Sequence, residues 1–265
     1  QLKEAIGAMH TAGLKVLADI VINHRVGVNN WADFEQPAWG SWSVCSDDEW
    51  GQGTGNADSG DKYAAARDLD HSNTTVQNDI TAWLNWLKDP ANAGFDGWRY
   101  DYSKGYWGGY TKIYNQGSSP DFSVGEFWPD IPGAKYYDSY PNTDWHRQIL
   151  VDWINATGTT STAFDFTTKW QLQLAMERGE LWRLGSVPAL IGWWGETAVT
   201  FLDNHDTGST QNHWPFPGDK VLQGYAYILT HPGIPCIFWD HLYTWGHYNA
   251  IKAMLAARKA AGILS

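Results

Sequence analysis

Short apolar, strand-like runs alternate with segments of helical period along most of this chain, and that alternation limits the fold more than any other feature. A helical pattern opens over Gln1 to His10, with Leu2, Ala5, Ile6 and Met9 on one face; Ala12-Gly13 ends it, and Lys15 to Ile22 reads as a buried strand. Helices are expected over Thr75–Leu87, Tyr106–Tyr114, Trp145–Ile154, Lys169–Arg178, Asp219–Leu229 and Asn249–Ala261. Between them, strands are expected over Phe95–Tyr100, Phe122–Val124, Ala163–Phe166, Ala198–Leu202 and Ile234–Trp239. Such a rhythm predicts a parallel sheet wrapped by helices. An open doubly wound sheet would need a Gly-rich phosphate loop after its first strand, and DIVINHRVG is not one.

The expected fold is therefore an α/β (β/α)8 TIM barrel. Only six strands and seven helices are counted, so it is read as incomplete, with the first two strands missing. Residues 23–73 interrupt the alternation with about fifty residues rich in Gly, Asp, Asn and Trp. That is too long for an ordinary connection and reads as an inserted subdomain. The expected organisation is a barrel domain of residues 1–22 and 74–265 carrying an insertion over 23–73.

Composition narrows the partners. A formal net charge of -11, with only eighteen Lys and Arg, supplies no basic face for nucleic acid or an anionic membrane. No 18-residue apolar run is present, so no membrane span is expected. Cys45 and Cys236 stand far apart without zinc-ligand spacing. Eighteen Trp is an unusual number. Most single indoles are expected in the core, but those in Gly-rich, polar surroundings suit stacking on sugar rings.

Three acids stand at the C-terminal ends of strand-like segments: Asp101 in GFDGWRYD, Glu126 in SVGE and Asp206 in TFLDNHD. In α/β barrels the chemistry sits on the loops at those ends, and converging carboxylates suit acid/base or covalent catalysis on an uncharged substrate. Arg99 lies two positions before Asp101, on the same strand face, where a guanidinium can keep the carboxylate ionised and aimed. Glu126 is followed by Phe127 and Trp128, an apolar neighbourhood that favours a protonated acid. Of Asp203 and Asp206, one must be structural; Asp203 and His205 share a strand face, and Asp206 falls past the end. Asn23 can offer an oxygen to a hard cation, and Asp58, Asp61 and Asp68 can supply more, an oxygen set of the kind calcium takes.

DIVINH, GFDGWRYD, VGEFW and FLDNHD, in this order, resemble the four signature regions of the α-amylase family, glycoside hydrolase family 13. The likeness continues through GTGNADSG, LNWLKD, KGY, FDFTTK, GELWRL, IGWW, NHDTGSTQ and PCIFWDH, covers essentially the whole chain, and is strongest to plant-type members. The resemblance implies endo-hydrolysis of α-1,4 bonds in starch-type glucans by a retaining mechanism. It assigns Asp101 as nucleophile, Glu126 as general acid/base and Asp206 as the acid that stabilises the transition state. It gives His24, Arg99 and His205 contacts at the cleavage point, and Lys104, Gly105 and Trp128 contacts on the leaving-group side. It implies Ca2+ held by Asn23, Asp58 and Asp68 with backbone oxygens of Asp61 and Gly105, tying the insertion to the barrel. Trp193 and Trp194 match a surface glucan platform. The family's habit also implies a secreted protein, monomeric when full length.

Two departures from the pattern are visible. Lys62 stands where plant-type members often carry an acid for an additional calcium. The front of the barrel and the C-terminal β-sandwich are expected to be missing, so the chain is read as a fragment of the catalytic domain. The competing expectations are a non-catalytic carbohydrate-binding remnant and a related α-glucan transglycosylase.

Overall fold

The helical and strand periodicities are realised in order in the computed structural model, which describes residues 1–29, 33–133, 143–185 and 189–264. Contacts divide the chain into two units, Gln1–Trp128 with Trp153–Ser161, and Pro129–Asp152 with Thr162–Ser265.

In the first unit, helix α1 (Leu2–Thr11) leads into strand β1 (Leu17–Ile20), and a two-residue antiparallel ribbon pairs β2 (His24–Arg25) with β3 (Arg67–Asp68). Helix α2 (Thr74–Lys88), strand β4 (Gly97–Tyr100), helix α3 (Gly108–Ser118) and strand β5 (Phe122–Gly125) follow. Helix α2 starts where it does because the Asn73 side chain accepts from the Thr75 amide. Strands β1, β4 and β5 form a parallel sheet in that order, with Leu17 beside Gly97 and Gly97 beside Phe122. One apolar core joins Ile20, Trp98 and Tyr100 of the strands to Val76, Leu84 and Tyr114 of the helices. Phe34, Trp39, Val44 and Leu69 from the 23–73 segment enter the same core, so that segment packs on the sheet.

The second unit holds most of α4 (Asp144–Ala156), then β6 (Thr162–Phe164), α5 (Phe166–Arg178), the single turn α6 (Leu190–Trp193), β7 (Ala198–Thr200), α7 (Val221–Thr230), β8 (Ile234–Pro235) and α8 (Tyr248–Ala260). Its strands are again parallel, β6 to β7 to β8. Leu172, Leu202, Phe216, Tyr225, Ile228 and Ile251 form its core.

Several element ends shift by a few residues from the sequence reading, and two of the shifts are informative. Phe166 opens a helix instead of closing a strand, because Asp165 caps it by accepting from the Thr168 amide at 2.8 Å. Strand β8 stops at Pro235, and residues 240–244 wind into a π-helical turn, so the apolar run to Trp239 is only partly extended. The indoles divide as well: Trp39 and Trp98 are buried, whereas Trp42, Trp50, Trp107 and Trp193 are exposed. Among the described residues no helix is long and apolar enough to cross a membrane.

Candidate active site

Strand β4 alternates cleanly. Trp98 and Tyr100 are fully buried among the helices, while Arg99 points to the other face, beside Asp19 of β1 and Val124 of β5 in the parallel register. Asp101 and Glu126 each lie two residues beyond that row and so face the same way. The ladder runs on past the strands to fix them, with the Asp101 amide donating to Ile20 O at 3.0 Å and the Glu126 amide to Tyr100 O at 2.8 Å.

Arg99 gathers three carboxylates. Its Nη1 meets Asp101 Oδ1 at 2.5 Å and Asp19 Oδ1 at 2.7 Å, and its Nη2 meets Glu126 Oε1 at 2.7 Å. Burial by itself lowers the Arg99 pKa, but Glu126, Asp19 and Asp101 outweigh it and hold the guanidinium above its usual value. Glu126 is only 6% exposed, as its apolar neighbours led one to expect, yet it is paired with this arginine. The Tyr102 amide also faces Glu126 Oε2 at 3.4 Å. Gly125 is required by close approach, since a methyl there would lie 2.1 Å from the Trp153 ring.

Around this cluster, His24 stacks on Tyr63 with ring centroids 4.1 Å apart; desolvation lowers its pKa, opposed by the Asp101 charge. Lys104 pairs with Asp61 at 3.4 Å, and Trp128 is half-buried just after Glu126.

Of the expected cation ligands, Asn23, Asp68 and Gly105 lie against one another, and the Asp58 charge acts on Asp68. Asn23 Nδ2 donates to Asp68 Oδ1 at 3.0 Å. Asn23 Oδ1 and Asp58 Oδ2 are buried without a hydrogen-bond partner. Burial pushes the Asp58 carboxyl up, and pushes Asp68 up to about 7, with Asp58, Glu49 and Asp48 adding to it. Gly105 lies so close that a methyl on it would sit 2.0 Å from Asn23 Oδ1. Orphaned buried oxygens beside desolvated carboxylates are what a hard cation would complete, so these residues fit calcium. Asp48 and Glu49 extend the acidic group: with Asp68, their oxygens lie within 4.8 Å of one another. Asp48 is also paired with buried Arg67 at 2.6 Å.

The second unit carries the remaining candidates. His205 Nε2 lies 3.5 Å from Asp206 Oδ2, and Asp206 Oδ1 accepts from Gln211 Nε2 at 2.5 Å. Trp193 is 64% exposed and its ring is covered on one side by the Arg147 guanidinium at 4.6 Å. Trp194 is half-buried, its indole donating to Glu196 at 3.2 Å. Asp203, of the two acids in that motif, is the buried structural one.

Sequence reasoning missed Asp19, Tyr63, Asp48 and Glu49. Asp19 had a signal, being the one charge inside the apolar run KVLADIVI after its opening lysine. Tyr63 had none, because its stacking on His24 joins residues far apart in the chain.

Parallel strands alternating with helices, with carboxylates carried just beyond the strand ends, define part of a (β/α) barrel bearing an acidic site. The chain is 46% identical over 97% of its length to "Alpha-amylase 3, chloroplastic" and, over an equal share, to "Probable alpha-amylase 2", both of Arabidopsis thaliana. It is 33% identical over 99% of its length to a glucan 1,4-alpha-maltotetraohydrolase of Stutzerimonas stutzeri. It spans 30%, 64% and 48% of those three proteins. The solved α-amylase structure from Malbranchea cinnamomea shares the fold, with a TM-score of 0.64 over 97% of this chain and 54% of that one, at 16% identity. An Anoxybacillus α-amylase structure matches with a TM-score of 0.57 over 90% of this chain and 51% of that one. No family model matches. The chain is thus similar to α-amylases over nearly all of its own length, and its fold is part of a (β/α) barrel of the kind their solved structures show.

Proposed function

We propose that the protein containing this chain is an endo-acting α-amylase that hydrolyses α-1,4-glucosidic bonds in starch-type glucans with retention. The observation that carries this reading is the single guanidinium of Arg99 shared by Asp101 and Glu126. A bridge that short favours the roughly 5 to 5.5 Å carboxylate spacing of retaining enzymes over the wider spacing that inversion uses.

In the proposed cycle, Asp101 attacks the anomeric carbon while Glu126 gives its proton to the departing glycosidic oxygen; the bond to the leaving sugar breaks as the bond to Asp101 forms. Glu126, now a carboxylate, takes a proton from water, which attacks the same carbon and frees Asp101. Arg99 holds and aims the Asp101 carboxylate before attack and again as it is released, and its contact with Asp19 remains when Glu126 is protonated. Asp206 and His205 are assigned to the sugar hydroxyls and the developing positive charge. His24 borders the cleaved sugar, and Lys104, Gly105 and Trp128 the leaving side. Asn23, Asp58 and Asp68, with backbone oxygens of Asp61 and Gly105, are assigned to calcium, which supplies no bond-making chemistry and fixes the 23–73 segment on the barrel. We read that segment as an inserted calcium-binding lobe, and Trp193 with Trp194 as a surface glucan platform.

One relative is named as chloroplastic. Secretion and a monomeric state are proposed from family habit, to be checked by fractionation and by light scattering. The central test is release of reducing ends from soluble starch, followed by NMR of the first product. Turnover giving the α-anomer and lost in Asp101→Asn supports the reading; glucan binding without turnover in the intact protein favours a carbohydrate-binding remnant. New, longer oligosaccharides in place of reducing ends favour a transglycosylase.

A further inference from the structure

We infer that Asp203, fixed by Lys169, is the positioning residue of the turn that presents His205 and Asp206; this rests on the assignment of Asp206 to the site. Lys169 on α5 is fully buried, donates to Leu202 O at 2.5 Å and to Gln173 Oε1 at 3.1 Å, and meets Asp203 Oδ1 at 3.2 Å. Its ammonium also lies 4.8 Å from the centre of the Trp214 ring and 5.9 Å from those of Phe201 and Phe216. A cation enclosed this way has few other places to go, so the carboxylate paired with it is fixed as well. Burial lowers Lys169 to about 8, with Asp203 opposing the fall.

Asp203 passes that fixed position to the loop. Its Oδ1 accepts from the Thr207 hydroxyl at 2.9 Å, and both its oxygens face the Phe216 amide at 3.2 Å, so one carboxylate ties down both ends of the segment 203–216. His241 Nε2 closes on Oδ2 at 3.3 Å. The Thr207 hydroxyl accepts from the Asn204 amide at 3.0 Å, and Asn204 Oδ1 accepts from the amides of Asp206 at 3.0 Å and Thr207 at 2.8 Å. The path from Lys169 through Asp203, Thr207 and Asn204 to the Asp206 backbone is continuous. A methyl on Gly208 would come within 2.8 Å of Asp203 Cβ, so the turn is wound closely round this carboxylate. His205 and Asp206 face outward from it, their side chains 52% and 23% exposed. A buried pair serving only to fill the core would gain nothing from such a linkage, because apolar residues of equal volume pack as well or better.

The test uses the double variant Asp203→Ala/Lys169→Met, which leaves no buried charge unpaired, and the milder Thr207→Val, which removes the hydroxyl that joins Asp203 to the Asn204 amide. Backbone amide exchange is followed across 203–216, with α7 as the internal reference. Both variants are expected to exchange at least tenfold faster at Asp206 and Thr207 with α7 unchanged, and Asp203→Asn/Lys169→Met, which keeps an acceptor, should regain most of the protection. Starch turnover should fall at least tenfold in kcat, with KM within twofold. Unchanged protection of the turn, or equal loosening of α7, would overturn the assignment, as would unaltered kcat in a variant whose turn has loosened. Should Asp203→Ala/Lys169→Met not fold, Thr207→Val decides alone. If the unaltered protein shows no turnover, the proposed function fails, while the exchange data still decide the positioning role.

Discussion

Arg99 and Glu126 come from different strands, and the guanidinium of one meets the carboxylate of the other at 2.7 Å, while the same guanidinium holds Asp101 at 2.5 Å. The row of the sheet that places Arg99 beside Asp19 and Val124 makes this meeting unavoidable.

Arg99→Lys keeps the charge but cannot bridge two carboxylates. Turnover of soluble starch is expected to fall by about 10²-fold or more, since both the orientation of Asp101 and the proton transfer at Glu126 are disturbed. Steady-state kinetics check it; near-normal kcat in the lysine variant would rule the bridge out as a requirement.

Calcium removal should loosen the 23–73 segment. At a free ion concentration a hundred times the dissociation constant, binding contributes about 2.7 kcal/mol, so chelation should lower Tm by roughly 5 to 10 °C in a domain of this size. Calorimetry with and without chelator measures it, and Asp58→Asn should reduce the difference. An unchanged Tm in both cases would remove calcium from the site.

Acid should destabilise the fold from just below neutrality. His71 and His146 are buried as neutral rings, their pKa lowered to about 4 by desolvation, against 6.5 for a free imidazole. Between pH 6.5 and 4 the unfolded chain binds more protons than the folded one, so stability present above pH 6.5 is lost as pH falls, by about 3 kcal/mol for each histidine. His71 bridges Ile22 O and the Tyr114 hydroxyl, which a glutamine can partly replace. Denaturant midpoints measured from pH 7 to 4.5 should therefore slope less in His71→Gln than in the unaltered chain.

Trp193→Ala should weaken retention on starch granules about tenfold and leave hydrolysis of short soluble glucans unchanged, because the indole is exposed and one face of it rests on Arg147. Sedimentation with granules, set beside kinetics on a short oligosaccharide, separates the two effects. Equal loss in both would place Trp193 at the cleavage site.

Gly125→Ala should cost about 1 to 3 kcal/mol or more, since the methyl would meet Trp153 at 2.1 Å. Urea unfolding gives the number; a neutral effect would mean that the Trp153 ring moves aside freely.

Much of this protein was legible in the sequence because its signals are local. Helical period and strand alternation placed the elements, Arg99 and Asp101 share a face by two-residue spacing alone, and GFDGWRYD and FLDNHD carried the family resemblance. Asp165 shows the limit of reading by apolar runs, for its capping carboxylate turned an expected strand end at Phe166 into a helix start. What no local pattern contained was company. That Glu126 shares its arginine with Asp101 and Asp19, that Asn23 meets Asp68, and that Lys169 stands behind Asp203 all depend on parallel register and on chain segments tens of residues apart closing over one another. Sequence determined which groups stand at the strand ends, since side-chain direction follows from backbone period; tertiary structure decided which charges are paired, because burial and distance exist only once the strands are side by side.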